Sequence, residues 1–216
     1  MTSKSPFVRA TKRQGRVAHV HQFLIVLANT DPLVWRRIQV PERYSFWDLH
    51  VAIQDAMGWQ DYHLHEFRVL DLKTARMVRI GIPDDDFPEE RPRTPGWKVR
   101  VTNYFDHLHT MSATYVYDFG DDWEHILAYE GTEPADPSFS YPRCVSGARA
   151  CPPEDCGGTH GYVRFLEAIG NPRDPEHEEM LRWIGGSYDP DKFDPKQCSF
   201  DDPRKRWKIA FQEPTE

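Results

Sequence analysis

A single α+β domain, with a mainly antiparallel sheet and helices packed on it, is the fold class this sequence predicts. Three observations carry it. Strand-like runs come in pairs joined by turn chemistry, as in "VAHVHQFLIVLANTDPLVWRRIQV" and "YVYDFGDDWEHILAYE". Helix-period segments with caps stand at "SFWDLHVAIQDAMGW" and in the last third. The length, 216 residues without internal repeat or heptad pattern, suits one domain with extensions.

Taken in order, residues 1–16 read as a disordered basic tail, and 17–212 as the folded domain. In the first strand the even and odd positions are both mostly apolar, which predicts a central strand buried on both faces. "NTDP" turns the chain, because Asn and Asp tolerate turn geometry and Pro fixes φ. "LVWRRIQV" returns as the second strand, with Arg36 and Arg37 read as a surface pair. In the first helix Ser45 is the cap, Phe46, Leu49, Ile53 and Met57 keep helical spacing, and Gly58 is the left-handed stop. "YHLHEFRVL" is the next strand and sets His63, His65 and Phe67 on one face.

Residues 72–96, with "GIPDDDFPEERPRTPGW", read as a long loop or flap, followed by a short element near Val99–His109. "ATYVYDF" and "WEHILAYE" flank "GDD" as a hairpin. "YPRCVSGARACPPEDCGGTHGY" reads as a loop, and "GYVRFLEAI" as a helix stopped by Gly170 and Pro172. Asp174 and Pro175 then open a helix through "EHEEMLRWI", and a last short helix covers Arg204–Phe211.

Composition narrows the function classes. The net charge of −7 argues against a general nucleic-acid binder. The tail is the exception, with Lys4, Arg9, Lys12, Arg13 and Arg16 and no acid, so nucleic acid is expected only through it. No apolar stretch is long enough for a membrane span, and no signal peptide opens the chain, so a cytoplasmic protein is expected. There the four cysteines are thiols or metal ligands rather than disulfides.

"DFG" at 118–120 is also the magnesium-holding tripeptide of protein kinases. The glycine-rich loop, strand lysine and H-R-D loop that a kinase needs are missing, so that reading is rejected. Four segments in this order, "DPLVWRRIQVPERYSFWDLHVAIQDAMGWQDYHLHEF", "YVYDFGDDWEH", "CVSGARACPPEDCGGTHGYVRFLEAIGNPRDPEHEEMLRWIGG" and "YDPDKFDP", resemble the plasmid pRiA4b ORF-3-like family from about Val20 to Asp194. The resemblance implies one α+β domain, often encoded on plasmids or near transposable elements, with no established activity. His63 and His125 recur in the family's pattern, whereas Cys198 lies outside it. Some relatives carry a resolvase label. Resolvase chemistry needs a nucleophilic Ser or Tyr among several arginines, and "WRR" has no such Ser.

The candidate site is a polar pocket built by the "DFGDDWEH" hairpin and the "PPEDCGG" loop, with His63, Asp118, Asp121, Trp123, His125, Glu154 and Asp155. Its carboxylates and imidazoles suit a cation, a basic ligand or acid–base work. Cys144, Cys151, Cys156 and His160 are the candidate ligands of a structural zinc, with Cys198 as a substitute for His160. The leading expectation is a non-catalytic accessory or binding protein of mobile elements, with a small ligand, a metal or a protein as partner. A metal-assisted hydrolase using the same carboxylates and histidines is the first alternative. It requires His63, His125 and at least two of the carboxylates to share one cavity. A DNA-associated factor acting through the tail is the second.

Overall fold

In the computed structural model, residues 18–83, 92–106 and 111–211 are described. The basic segment 1–16 lies outside them. Eight strands form one sheet: β1 (His19–Leu27), β2 (Trp35–Pro41), β3 (His65–Asp71), β4 (Arg76–Gly81), β5 (Thr94–Pro95), β6 (Ser112–Tyr117), β7 (Trp123–Pro134) and β8 (Arg143–Ala148). Their order is β5-β4-β3-β6-β7-β1-β2-β8. Among the described residues, only β4 and β5 pair in parallel. The helices are α1 (Phe46–Met57), α2 (Gly158–Gly170), α3 (His177–Trp183) and α4 (Pro203–Phe211). In the range of the short element expected near Val99–His109, a 3-10 turn covers Val101–Asn103, with residues 107–109 outside the described ones; further 3-10 turns cover Gly96–Lys98 and Pro195–Gln197.

α1 forms as its sequence dictates. Ser45 and Asp48 make a reciprocal capping box, and Gly58 ends the helix at φ 96°. Its apolar face meets Phe23, Phe67 and Tyr115 in the core. That contact decides which side of the sheet is buried. Phe23, Ile25 and Leu27 of β1 are fully buried beneath the helices, whereas Gln22, Leu24 and Val26 are only half-buried. β1 is therefore central but not buried on both faces. Its open face carries a polar ladder in which Gln22 and Arg37 both donate to Glu130.

Other expectations change for non-local reasons. Residues 76–81, read as part of a flap, form β4 because β3 offers a free antiparallel edge; residues 84–91 of that flap lie outside the described ones. Arg143–Ala148, read as loop, pairs with β2 as the sheet's last strand. Asp174 and Pro175 form a turn in which Asp174 accepts from the Glu176 amide, and α3 begins only at His177. Arg36 is not on the surface; it is 1% exposed. Its guanidinium donates to the carbonyls of Ala56, Trp35 and Ala148, so it closes the carbonyl end of α1, where a cation is favoured.

Candidate functional site

The β6–β7 turn is built from left-handed aspartates. Asp118 (φ 55°) and Asp122 (φ 53°) hold that conformation without glycine, which Asp tolerates better than most residues. Asp118 Oδ1 accepts from the Gly120 amide at 2.9 Å, and its own amide donates to the Leu64 carbonyl. These bonds fix Asp118 beside the segment that leads into β3.

The "PPEDCGG" loop docks on this hairpin. The Gly157 amide donates to Asp121 Oδ2 at 3.1 Å. Gly158 packs so closely that a Cβ would lie 2.5 Å from the Asp121 carbonyl oxygen. Trp59 anchors the loop's other side by donating to the Pro152 carbonyl at 2.9 Å. Glu154 accepts from the Gln60 amide at 2.6 Å and from the Tyr117 hydroxyl at 3.1 Å. Burial, with Glu154 next to it, raises the Tyr117 hydroxyl above the usual phenol range, so it remains a donor.

His63 stands at the centre of this joint. Its Nε2 lies 2.8 Å from Asp155 Oδ1, 3.6 Å from Asp118 Oδ2 and 4.0 Å from Glu154 Oε2. One ligand atom each from His63, Asp118 and Asp155 lie mutually within 4.8 Å. Three separate chain segments supply them. The group can hold a small cation or a basic ligand, with His63 about one-third exposed.

Not every candidate residue joins it. Asp121 is used on the loop backbone. Trp123 is 1% exposed and packs on Trp59 inside the core. His125, expected at the rim, is fully buried. β7 lies mid-sheet, so the face that carries Trp123 and His125 is the one the helices cover. Nδ1 of His125 lies 3.1 Å from the Trp123 carbonyl and 3.3 Å from that of Tyr115, and its Nε2 has no partner. Burial pushes its pKa down to about 4.

His63 and His65 also separate. β3 begins at His65, so the alternation that would pair them does not reach His63. His65 instead stacks on His50 of α1, ring centroids 3.5 Å apart and planes within 9°. Asp61 Oδ1 lies 2.9 Å from His50 Nε2, but out of line for a hydrogen bond. The Tyr115 hydroxyl accepts from Gln54 and bonds His50 Nδ1, both at 2.8 Å. This buried group was not read from the sequence. The available signal was His50 and Gln54 on the apolar face of α1, four residues apart.

The cysteine set does not assemble. All four thiols are free, and His160 is exposed on α2. Among the described residues, the groups of three or more ligand atoms within 4.8 Å are the two His/Asp groups, and neither contains a cysteine. Cys144, Cys151 and Cys198 instead surround the buried Arg36 guanidinium closely enough to feel its charge. Burial raises the Cys156 thiol to about 12 and raises that of Cys151 as well, so both stay neutral.

Fold and site together define an α+β protein with one mixed sheet and a histidine–carboxylate joint at the end of its central hairpin. The chain belongs to the plasmid pRiA4b ORF-3-like protein family, whose profile matches residues 19–197. It is 36% identical over 171 residues to the uncharacterized protein y4hQ of Sinorhizobium fredii (strain NBRC 101917 / NGR234), covering 79% of this chain and 84% of that one. The crystal structure of MM3350 from Methanosarcina mazei Go1, a protein of unknown function, is similar with a TM-score of 0.78 and 40% identity. That match covers 86% of this chain and all of the other.

Proposed function

We propose that this chain is a binding protein whose ligand is a first-row divalent cation such as Zn2+ or Mn2+, held by His63, Asp118 and Asp155 with Glu154 beside them. One observation carries the reading: three ligand atoms from three chain segments lie within 4.8 Å of one another at a partly open surface. One imidazole with carboxylates is a donor set that suits such ions. The buried group suits an ion less well. Its two imidazoles lie parallel, so their in-plane lone pairs run side by side instead of meeting. The hydrolase alternative required His125 in the same cavity, and its place in the core removes that support.

The association with mobile elements rests on the family resemblance. The four free thiols support a reducing, cytoplasmic setting. No helix among the described residues is long and apolar enough to cross a membrane. The test is calorimetric titration of chelator-treated protein with Zn2+ and with Mn2+. One site per chain is expected, weakened at least tenfold in His63→Ala and in Asp118→Asn, on the scale typical of losing one ligand-shell contact. Absence of binding, or affinity unchanged in both variants, would refute it.

A further inference from the structure

We infer that a basic, tryptophan-walled cleft at the start of α1 binds single-stranded nucleic acid. The cleft runs between the start of α1, the Gly96–Lys98 turn and α4, and encloses about 490 Å³. That volume is in the range of small-ligand sites. Trp47, Trp97 and Trp207 form its apolar side. Trp47 is nearly buried and ties the two helices together, its Nε1 donating to the Pro203 carbonyl at 2.9 Å. Trp97 and Trp207 remain half-open, and the shielded Nε1 of Trp207 has no partner.

Charge selects the ligand. Arg43, Lys98, Arg100, Arg204 and Lys208 line the cleft, and all five are exposed. None forms an ion pair with another described residue. Asp48 is the one acid in the lining, and its carboxylate is engaged by the Ser45 amide in the α1 cap. This concentration of free positive charge stands in a chain whose net charge is −7. Open indole surface bordered by unpaired cations is the arrangement that stacks bases and neutralises phosphates.

The cations also continue beyond the cleft. Arg43 and Arg100 line a second cavity of about 380 Å³ that reaches Ala18 and His19, with Glu42 as its only acid. Two cavities that share Arg43 and Arg100 offer cations on both sides of those arginines, which favours a strand over a free mononucleotide. The second cavity reaches Ala18, two residues after the basic segment 1–16. The cleft carries its own cations, so nucleic acid would not depend on that segment.

The test is fluorescence titration of the full chain with an oligothymidylate of about ten nucleotides and, in parallel, with thymidine monophosphate. Indole quenching is expected with the oligonucleotide, with log affinity falling against log salt by about 0.7 per neutralised phosphate. Trp97→Ala should weaken binding roughly ten- to hundredfold, and Arg100→Glu with Lys208→Glu should flatten the salt slope. Circular dichroism and melting temperature establish that these surface variants are folded. Deleting residues 1–16 should weaken binding without abolishing it. Equal affinity for the monophosphate would assign the same stacking-plus-phosphate chemistry to a free nucleotide and refute the strand. Absence of binding, or binding lost with residues 1–16 and untouched by the cleft variants, would overturn the inference.

Discussion

His125 should make this protein acid-labile in a way that one substitution removes. The imidazole is fully buried, and burial lowers its pKa from 6.5 to about 4. The folded state therefore keeps it neutral where the unfolded chain already binds a proton. Above the unfolded pKa its contribution to stability is complete. As pH falls below 6.5 the unfolded state gains the proton first, and stability drops by up to about 1.4 kcal/mol per pH unit. The loss ends near pH 4, where the folded state also takes up the proton. The whole window is worth about 3 kcal/mol, and about 2 kcal/mol of it is gone by pH 5. His65, pushed well below the usual imidazole value first by burial and then by His50, adds loss in the same direction.

His125→Asn is the informative change, because its side-chain amide can replace the Nδ1 donor toward the Trp123 carbonyl without titrating. Urea unfolding at pH 7, 6 and 5 should show wild type losing about 2 kcal/mol more than the variant over that range. The slope carries the reading, so a variant that is less stable at every pH still tests it. Parallel slopes, or a His125 ring proton that titrates near 6.5 in the folded protein, would refute the placement of His125 in the core.

Two further outcomes follow from packing and charge. In Gly161→Ala the new Cβ would lie 1.8 Å from the Cys156 carbonyl oxygen, so the first turn of α2 must move. A loss of about 2 kcal/mol in urea unfolding is expected, whereas Gly170→Ala, with nothing within 4 Å, should be neutral or slightly stabilising; equal effects would count against the tight loop–helix joint. Glu66, 1% exposed, is held by Arg68, Arg79 and Arg93 at 2.7, 2.6 and 3.0 Å. Glu66→Gln should cost about 2 kcal/mol, less than a fully buried pair because Arg68 and Arg79 are partly solvated, and a loss below about 0.5 kcal/mol would mean the cluster is solvated throughout.

What the sequence discloses follows the range of the forces involved. α1 is legible because its cap, period and stop act within a few residues of one another. The hairpin is legible for a similar reason, since its turn-forming aspartates bond near neighbours, while its contact with the "PPEDCGG" loop joins residues 36 apart and stood only as an expectation. β4 and β8 are not, because each exists through pairing with a partner strand and neither alternates strongly enough to declare itself. His125 is misread because turn proximity suggests solvent, while strand order places β7 between β6 and β1. Arg36 is misread because its counterparts are carbonyls brought from Ala56 and Ala148, which no charge pattern reveals.

The stretch from Trp59 to His65 explains why the surface site should be stiff before any ligand arrives. Its residues serve the two His/Asp groups in turn. Asp61 and His65 go to the buried one, and His63 goes to the surface one. Between them the main chain itself makes contacts, with the Gln60 amide on Glu154 and the Tyr62 amide on the Tyr117 hydroxyl. β6 repeats the pattern: Tyr115 and Tyr117, two residues apart on one face, place one hydroxyl in each group. Asp61 is further held by Arg206 of α4 at 3.4 Å, so the segment is pinned from its far side as well. A carboxylate held by backbone amides loses little freedom when an ion binds, and that saved entropy becomes affinity. Asp118 and Glu154 are thus fixed by backbone amides, whereas Asp155 is exposed and bonds His63, so the preorganisation lies in the hairpin and the Trp59–His65 stretch.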